Sequence, residues 1–329
     1  MNLRETIDSY RQVFVICDRN VEGFAHLIGD YPLLTIYASE TTKTMETATG
    51  ICHWLMEKGA DRGALVIAVG GGVTTDMVGF AASIYKRGIA YANVPTTLLA
   101  MVDAGIGGKT GVNLDSYKNM IGTFRQPVFT WLFPDILRSL PRREFLSGAA
   151  EMLKAFIISD RGGCYERAVR LLKDYASTGV SPADTAAGLE ELGALIREAS
   201  AVKQEIVDRD PLEKGERRLL NLGHTWAHAI EWWQRSQVQF SHGEAVAIGI
   251  IAAARKAEEL GIAKNISEKL TADFAACGLP TELPCSEKEL LEAMRRDKKA
   301  DGNSPDGKVT VAFVLPVRIG KVIVKPLDI

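Results

Sequence analysis

The sequence predicts an α/β N-terminal domain with a mostly parallel sheet, followed by a mainly α-helical C-terminal domain. Three observations predict it. The chain has 329 residues, beyond the ~250–300 at which a single hydrophobic core stops growing. As far as Leu140-Pro141, short apolar or β-branched runs alternate with helix-like stretches, the pattern of parallel strands covered by helices on both faces. From Phe145 to about Leu260 the apolar positions instead recur with helical period. The boundary is placed at 140–147, which gives domains of residues 1–144 and 145–329.

In chain order, Val13–Val15 and Leu33–Tyr37 read as strands, each followed by a polar turn (Cys17 to Asn20, Ser39 to Thr42). Glu46 to Gly59 carries apolar residues three and four apart and reads as a helix. Ala64–Val69 is a continuous apolar strand that runs into Gly70-Gly71-Gly72, with a helix from Asp76 to Lys86 and a strand over Ile89–Val94. The helical half is interrupted at Arg161-Gly162-Gly163, at Gly179–Pro182 and at Asp208–Gly215. Strand-like residues return in Val309–Leu315 and Val322–Val324, around Gly320.

Composition excludes several classes of function. The hydrophobic fraction is 47% and the charged fraction 24%, ordinary globular values that argue against disorder, a collagen-like fibre or a coiled coil. A net charge of −2 lacks the cationic excess of a general nucleic-acid binder. No apolar stretch reaches the ~18 residues of a membrane span. The first residues mix Arg4, Glu5, Asp8 and Arg11 with no apolar core, unlike a signal peptide. Five cysteines, at 17, 52, 164, 277 and 285, show no CxxC spacing and are expected to be reduced thiols in a soluble cytoplasmic protein.

Two glycine loops and one histidine cluster carry the chemistry. The strand–glycine–helix unit around Gly70-Gly71-Gly72-Val73-Thr74-Thr75 lets backbone N–H groups approach an anionic ligand. Thr75 occupies the third glycine position of a dinucleotide fingerprint, and a tight turn without a ligand is equally compatible with these residues. The second loop, Asp103 to Gly111, lacks the spacing of a phosphate loop, but Asp103, Lys109, Lys118 and Asn119 form a polar group suited to hydroxyls and phosphates. His224 and His228 are i and i+4 and share a helix face. His242 opens another helix, and Glu151 and Lys154 are i and i+3. Two imidazoles and one carboxylate leave an open position on a tetrahedral zinc. Spacing leaves Glu151, Glu231 and Glu244 all open as the carboxylate, while His26 and His53 stand singly and read as structural.

Taken in order, these motifs resemble the 3-dehydroquinate synthase family and, more broadly, the sugar-phosphate cyclases. They are Gly70-Gly71-Gly72-Val73-x-x-Asp76, Tyr85-x-Arg87-Gly88, Pro95 to Ala100, Asp103 through Asn113, and Lys118-Asn119. They continue with Ala150-Glu151-x-x-Lys154, Arg217-x-x-Leu220-Asn221-x-Gly223-His224-Thr225-x-x-His228, His242 to Val246, and Asp297-Lys298-Lys299. The resemblance covers about residues 10–325. The chain departs from the pattern at Thr75, at Ala104-Gly105 and at Ala227, and the family's usual opening strand pair has no counterpart in it.

The resemblance implies a nucleotide-binding α/β domain joined to a helical metal-binding domain, with the active site between them and NAD tightly held. It assigns the metal, zinc or cobalt, to Glu151, His224 and His242. It places NAD on Asp18, Asn20, Glu40, Lys43, Gly71, Gly72, Val73, Thr74, Asp76, Thr96, Thr97, Lys109 and Lys118. Substrate contacts would be Asp103, Lys109, Asn119, Lys154, Lys203, Arg217, Asn221, His228 and one of Lys298 and Lys299. Arg87 would reach the neighbouring subunit's site in a homodimer.

The implied reaction converts 3-deoxy-D-arabino-heptulosonate 7-phosphate to 3-dehydroquinate and phosphate, a step of the shikimate pathway to aromatic amino acids. It runs through transient oxidation by NAD, β-elimination of phosphate, re-reduction and an intramolecular aldol closure. Cations and zinc would stabilise the developing negative charge. The alternatives are another sugar-phosphate cyclase, a metal-dependent polyol or glycerol-phosphate dehydrogenase, or a silent NAD-binding regulatory module. Membrane and nucleic-acid partners are not expected.

Overall fold

The structure, a computed structural model, describes residues 3–115, 117–233, 240–299 and 310–329. They form two compact units, Met1–Leu140 and Pro141–Ile329. The first is α/β, with an all-parallel main sheet, and the second is mainly helical.

In the first unit α1 (Leu3–Asp8) precedes strand β1 (Val13–Asp18), a 3-10 segment over Arg19–Leu27, strand β2 (Leu33–Ile36) and helix α2 (Met45–Glu57). Strand β3 (Leu65–Gly70), helix α3 (Gly72–Ile84) and strand β4 (Ala90–Pro95) follow. The four strands are parallel in the order β2-β1-β3-β4. Because side chains alternate along a strand, β1 and β3 feed two cores. Phe14, Ile16, Val66 and Ala68 face Ile51, Leu55, Met77 and Val78 of the helices. Val13, Val15, Leu65, Ile67 and Val69 face Ile7, Ala25 and Ile28. Burial on both faces is why Ala64–Val69 reads as an unbroken apolar run.

Two local differences from the sequence reading have clear causes. Helix α3 begins at Gly72, not at Asp76, with Gly71 extended at its N-cap (φ −76°, ψ −172°). The β-branched Val73-Thr74-Thr75 run is a weak helix former, so the first turn is hidden in the sequence. The Asp103–Gly111 stretch is not an open loop. It leaves a π-helical turn, Ala100–Ala104, and enters strand β5 (Lys109–Leu114), which pairs antiparallel with β6 (Tyr117–Phe124). A Cβ at Gly111 would stand 2.7 Å from the Ile121 carbonyl oxygen. The glycines that allow this close pairing also erase the alternating pattern that announces a strand.

The second unit begins at Pro141, whose fixed φ suits a helix start. Its helices are α4 (Arg142–Ile158), α5 (Cys164–Thr178), α6 (Ala186–Arg209), α7 (His224–Trp233), α8 (His242–Glu259), α9 (Ile266–Ala276) and α10 (Glu287–Lys299). The chain closes with the antiparallel pair β7 (Thr310–Arg318) and β8 (Lys321–Asp328). Helix α4 is buried almost continuously from Phe145 to Ile158, and α8 from Ala245 to Ala254, so both are core helices rather than surface ones. No helix among the described residues is long and apolar enough to cross a membrane. The five cysteines are free thiols.

Candidate active site

In the first unit, parallel pairing brings the carboxyl ends of β1, β3 and β4 to one edge of the sheet. The chain leaves central β1 for β2 on one side and returns to β3 on the other. That reversal opens a crevice where open α/β sheets bind ligands. Asp18 ends β1 and accepts hydrogen bonds from Asn20 N (3.0 Å) and Asn20 Nδ2 (3.2 Å). Gly70 ends β3, and its carbonyl accepts Thr96 N at 2.9 Å. Gly71 and Gly72 then aim the first N–H groups of α3, those of Gly72, Val73 and Thr74, beyond the strand ends. Gly72 sits against the π-turn, where an added Cβ would lie 2.9 Å from the Ala104 Cβ. Thr74 Oγ1 is buried without a hydrogen bond to the described residues. Thr75, at the altered glycine position, satisfies its hydroxyl on the Gly72 carbonyl at 3.0 Å. Thr97 Oγ1 accepts Ala100 N at 3.1 Å and caps the turn that carries Asp103.

Lys43 ties three sequence-distant positions together. Its buried ammonium reaches Asp76 Oδ2 at 2.5 Å and Asn119 Oδ1 at 2.6 Å. Asn119 holds a left-handed backbone (φ 56°), and its N–H donates to Asn113 Oδ1 at 2.9 Å. Asn113 in turn donates to the Glu40 backbone and carboxylate, both at 3.0 Å. Glu40, Asn113 and Lys118 line a hollow of about 620 Å³ with Thr44 and Met45. Lys109 is exposed on β5. Arg87 is exposed in a turn where Lys86 (φ 49°), Arg87 (φ 68°) and Gly88 (φ 114°) are all left-handed. Lys86 Nζ at 2.6 Å and Tyr85 OH at 3.0 Å both donate to the Ala60 carbonyl and hold that turn.

In the second unit, three helices meet over glycines. A Cβ on Gly243, in the first turn of α8, would overlap the Ser147 backbone of α4, and Gly243 N donates to Ser147 Oγ at 3.0 Å. A Cβ on Gly223, just before α7, would stand 2.9 Å from Ile250 N of α8. Gly249 admits the Gly223 carbonyl just as closely, and a Cβ there would lie 3.2 Å from Ala227 N. Ala227, at an altered family position, is buried where these helices meet.

This packing brings Glu151, His224 and His242 together, with one donor atom of each within 4.8 Å of the others. His242 Nε2 lies 3.3 Å and His224 Nε2 3.7 Å from the same oxygen, Glu151 Oε1. Lys154 Nζ lies 2.5 Å from the other, Oε2. His228 follows one turn along α7, its ring centroid 5.6 Å from that of His224. Of the three carboxylates left open by spacing, Glu151 faces both Nε2 atoms. Glu231 lies behind His242, 3.1 Å from Nδ1. Glu244 is committed elsewhere, to a capping box with Ser241 and to Arg143 at 2.7 Å.

The electrostatics are those of a buried charge cluster. Burial opposes ionisation of Glu151, but Lys154 and then the nearby imidazoles outweigh it and hold the carboxyl well below its usual range. Burial, then Lys154, push His224 down to about 3, so it is a neutral imidazole. Burial also opposes protonation of His242, but the carboxylates of Glu151 and Glu231 outweigh it and raise this group to about 10.

These residues fit a divalent metal ion. Glu151 is 1% exposed, and its two oxygens face the Lys154 ammonium and both imidazole Nε2 atoms, a buried charge that has to be compensated by cationic or metal partners. A tetrahedral ion with bonds of about 2.0–2.1 Å sets its ligands roughly 3.3 Å apart, close to the spacing seen here. Two imidazoles and a carboxylate are a borderline-hard set suited to zinc or cobalt.

Beside this cluster in the chain, the 3-10 segment Glu216–Asn221 carries two more expected residues. Arg217, 2% exposed, donates to the Pro211 carbonyl at 2.7 Å. Asn221 donates to Glu213 Oε1 at 2.8 Å. Asp210 accepts the backbone N–H of Lys214, Gly215 and Arg217 at 2.7–3.0 Å and clamps the turn. Lys203 is half-buried on α6. Lys298 and Lys299 end α10, but their side chains lie outside the described residues. Asp210 and Glu213 escape the sequence reading because each acts from an irregular turn with no period to mark it, and Asn113, which ends a quoted motif, is given no role there because its glycine-rich strand has no period either. Glu231 has a visible signal, since His224, His228 and Glu231 lie at i, i+4 and i+7 on one face.

In sequence and fold the chain is similar to known proteins. The description "3-dehydroquinate synthase N-terminal" matches residues 33–147 and "3-dehydroquinate synthase C-terminal" residues 148–300. A 3-dehydroquinate synthase from Pyrococcus abyssi is 43% identical over 295 residues, 89% of this chain and 81% of that protein. The solved 2-epi-5-epi-valiolone synthase of Streptomyces hygroscopicus, with NAD+ and Zn2+ bound, aligns at TM-score 0.80 and 28% identity over 98% of this chain and 90% of that one. A 2-deoxy-scyllo-inosose synthase with carbaglucose-6-phosphate, NAD+ and Co2+ aligns at TM-score 0.79 and 25% identity, over 99% and 91%. With both family halves matched in order across residues 33–300, the chain belongs to the 3-dehydroquinate synthase family.

Proposed function

We propose that the chain is a 3-dehydroquinate synthase, which takes the seven-carbon keto-acid phosphate 3-deoxy-D-arabino-heptulosonate 7-phosphate to 3-dehydroquinate and phosphate. The observation that carries this reading is the Glu151, His224 and His242 cluster with Lys154 against it, in a chain of this family. Glu151, His224 and His242 hold zinc or cobalt, and the carboxyl edge of the parallel sheet holds NAD. When bound, the ion supplies Lewis acidity toward substrate hydroxyls and NAD a reversible acceptor of two electrons.

The chain's own groups bind and orient. The N–H groups of Gly72, Val73 and Thr74 meet the cofactor's pyrophosphate at a helix N-terminus, with Asp18, Asn20, Thr96 and Thr97 beside them on the strand ends. Glu40, Lys43, Asp76, Lys109 and Lys118 complete the nucleotide contacts. The substrate brings about three negative charges at neutral pH, which calls for converging cations. Lys154, Lys203, Arg217 and Lys298 serve this in the second unit, with Asn221 and His228 as hydrogen-bonding contacts. Lys109 adds a cation in the first unit, where Asp103 and Asn119 are hydrogen-bonding contacts. The division of labour follows domains 1–144 and 145–329.

Arg87, held outward by its left-handed turn, supplies a charge to the neighbouring subunit's site in a homodimer. Free thiols and the lack of a membrane-spanning helix among the described residues support a cytoplasmic enzyme. One assay tests the reading: with NAD and zinc, the keto-acid phosphate should yield inorganic phosphate with no accumulation of NADH. Stoichiometric NADH would instead identify a polyol or glycerol-phosphate dehydrogenase. Turnover of other sugar phosphates alone would identify a different cyclase.

A further inference from the structure

The two imidazoles of the candidate metal centre are oriented by different means. His224 Nδ1 lies 3.2 Å from the Leu222 carbonyl oxygen, a backbone group that no side-chain substitution removes. His242 Nδ1 lies 3.1 Å from Glu231 Oε1. In each ring the Nδ1 contact turns Nε2 toward Glu151 Oε1, at 3.7 Å for His224 and 3.3 Å for His242.

We propose that Glu231 is a positioning residue of the metal centre: its carboxylate holds the proton of His242 at Nδ1 and aims Nε2 at the ion. The inference rests on the metal reading above. Glu231 is suited to this role by its place on α7. It lies two turns after His224 on the same face, so one helix delivers a direct ligand at its start and a support for the other histidine near its end. That support crosses to α8, where His242 is the first residue and has no preceding helical turn to brace its ring. The carboxylate side chain is 15% exposed and the His242 side chain 33%. An unsupported His242 ring is therefore free to turn about its χ angles. A carboxylate or carbonyl on the far nitrogen of a metal-bound histidine fixes its tautomer and orientation, and losing it typically costs 10–100-fold in metal affinity.

The test is zinc affinity, measured by competition with a chromophoric chelator, on Glu231→Gln and Glu231→Ala. The visible absorption spectrum of the cobalt-substituted protein is read in parallel. Glu231→Ala removes both acceptor and charge and should weaken zinc binding about 10–100-fold and alter the cobalt spectrum. Glu231→Gln has the same shape and keeps one acceptor oxygen, so it folds as the parent does and should lose less. A Glu231→Ala protein that binds zinc as tightly as the parent, with a superimposable cobalt spectrum, overturns the proposal. Glu151→Ala serves as the control: a parent that takes up no more zinc than this variant overturns the metal reading itself, and the role of Glu231 with it.

Discussion

The strand edge of the first unit and the helix junction of the second are built on opposite principles. The strand edge presents mostly backbone: the N–H groups after Gly71, the Gly70 carbonyl held by Thr96, and short hydroxyl and amide side chains. Parallel pairing alone aligns these groups, because every strand of the main sheet ends on the same side. The helix junction presents buried titratable side chains, aligned only because three helices approach closely over Gly223, Gly243 and Gly249. The strand edge should therefore be sensitive chiefly to an added Cβ, and the junction to the loss of any one charged group.

The largest effect expected from that contrast is at Glu151. Replacing Glu151 or His242 by Ala should abolish turnover through loss of the metal. Glu151→Ala should also lower unfolding free energy by about 3–5 kcal/mol, because it breaks the buried ion pair with Lys154. Metal analysis and denaturant unfolding check both, and full turnover by a metal-free Glu151→Ala, His242→Ala double variant would refute the assignment.

The next effects come from a matched pair of glycines. Gly243→Ala drives a methyl group into the Ser147 backbone and should cost about 1–3 kcal/mol, as overpacking does, together with zinc affinity, because His242 moves with it. Gly72→Ala meets the Ala104 methyl at 2.9 Å and the Leu99 side chain at 3.9 Å and should weaken NAD binding while zinc content stays at the parent level. Equal losses of zinc in the two variants would erase the distinction between the regions.

The smallest effect tests a surface support of the junction. The Glu244 carboxyl is lowered although burial opposes it, because Arg143 and the Ser241 backbone N–H favour the ionised form. A lowered pKa in the folded state means stability that is present at neutral pH. That stability is lost as pH falls below the ordinary glutamate value of about 4.3. Since Arg143 is 56% exposed, the pair contributes only ~0.2–1 kcal/mol. Urea unfolding of Glu244→Gln at neutral and acid pH should show a deficit that narrows on acidification; a constant deficit contradicts it.

Much of this organisation was legible in the chain. The unbroken apolar run before Gly70 announced a doubly buried strand, and His224 and His228 announced one helix face. Both signals are local, set by residue period and by the dihedral freedom of glycine. The β5–β6 hairpin was not legible, because Gly111 and Gly122 replace the alternating side chains that would reveal it. Nor was the early start of α3, since its first turn holds residues that favour strands. The Lys43 node joins positions 33 and 76 residues apart, and no spacing rule predicts it.

By itself the sequence determined the order of strands and helices, the glycine turn and the supply of histidines and carboxylates, because these follow from short-range sterics and periodicity. Spacing left three carboxylates open and the resemblance implied Glu151; the tertiary structure adds that Glu231 stands behind His242 and that Glu244 caps a helix. That placement depends on the contact of Gly243 with Ser147, 96 positions earlier. Close packing of this kind is a property of whole helix surfaces, which three dimensions assemble and one does not record.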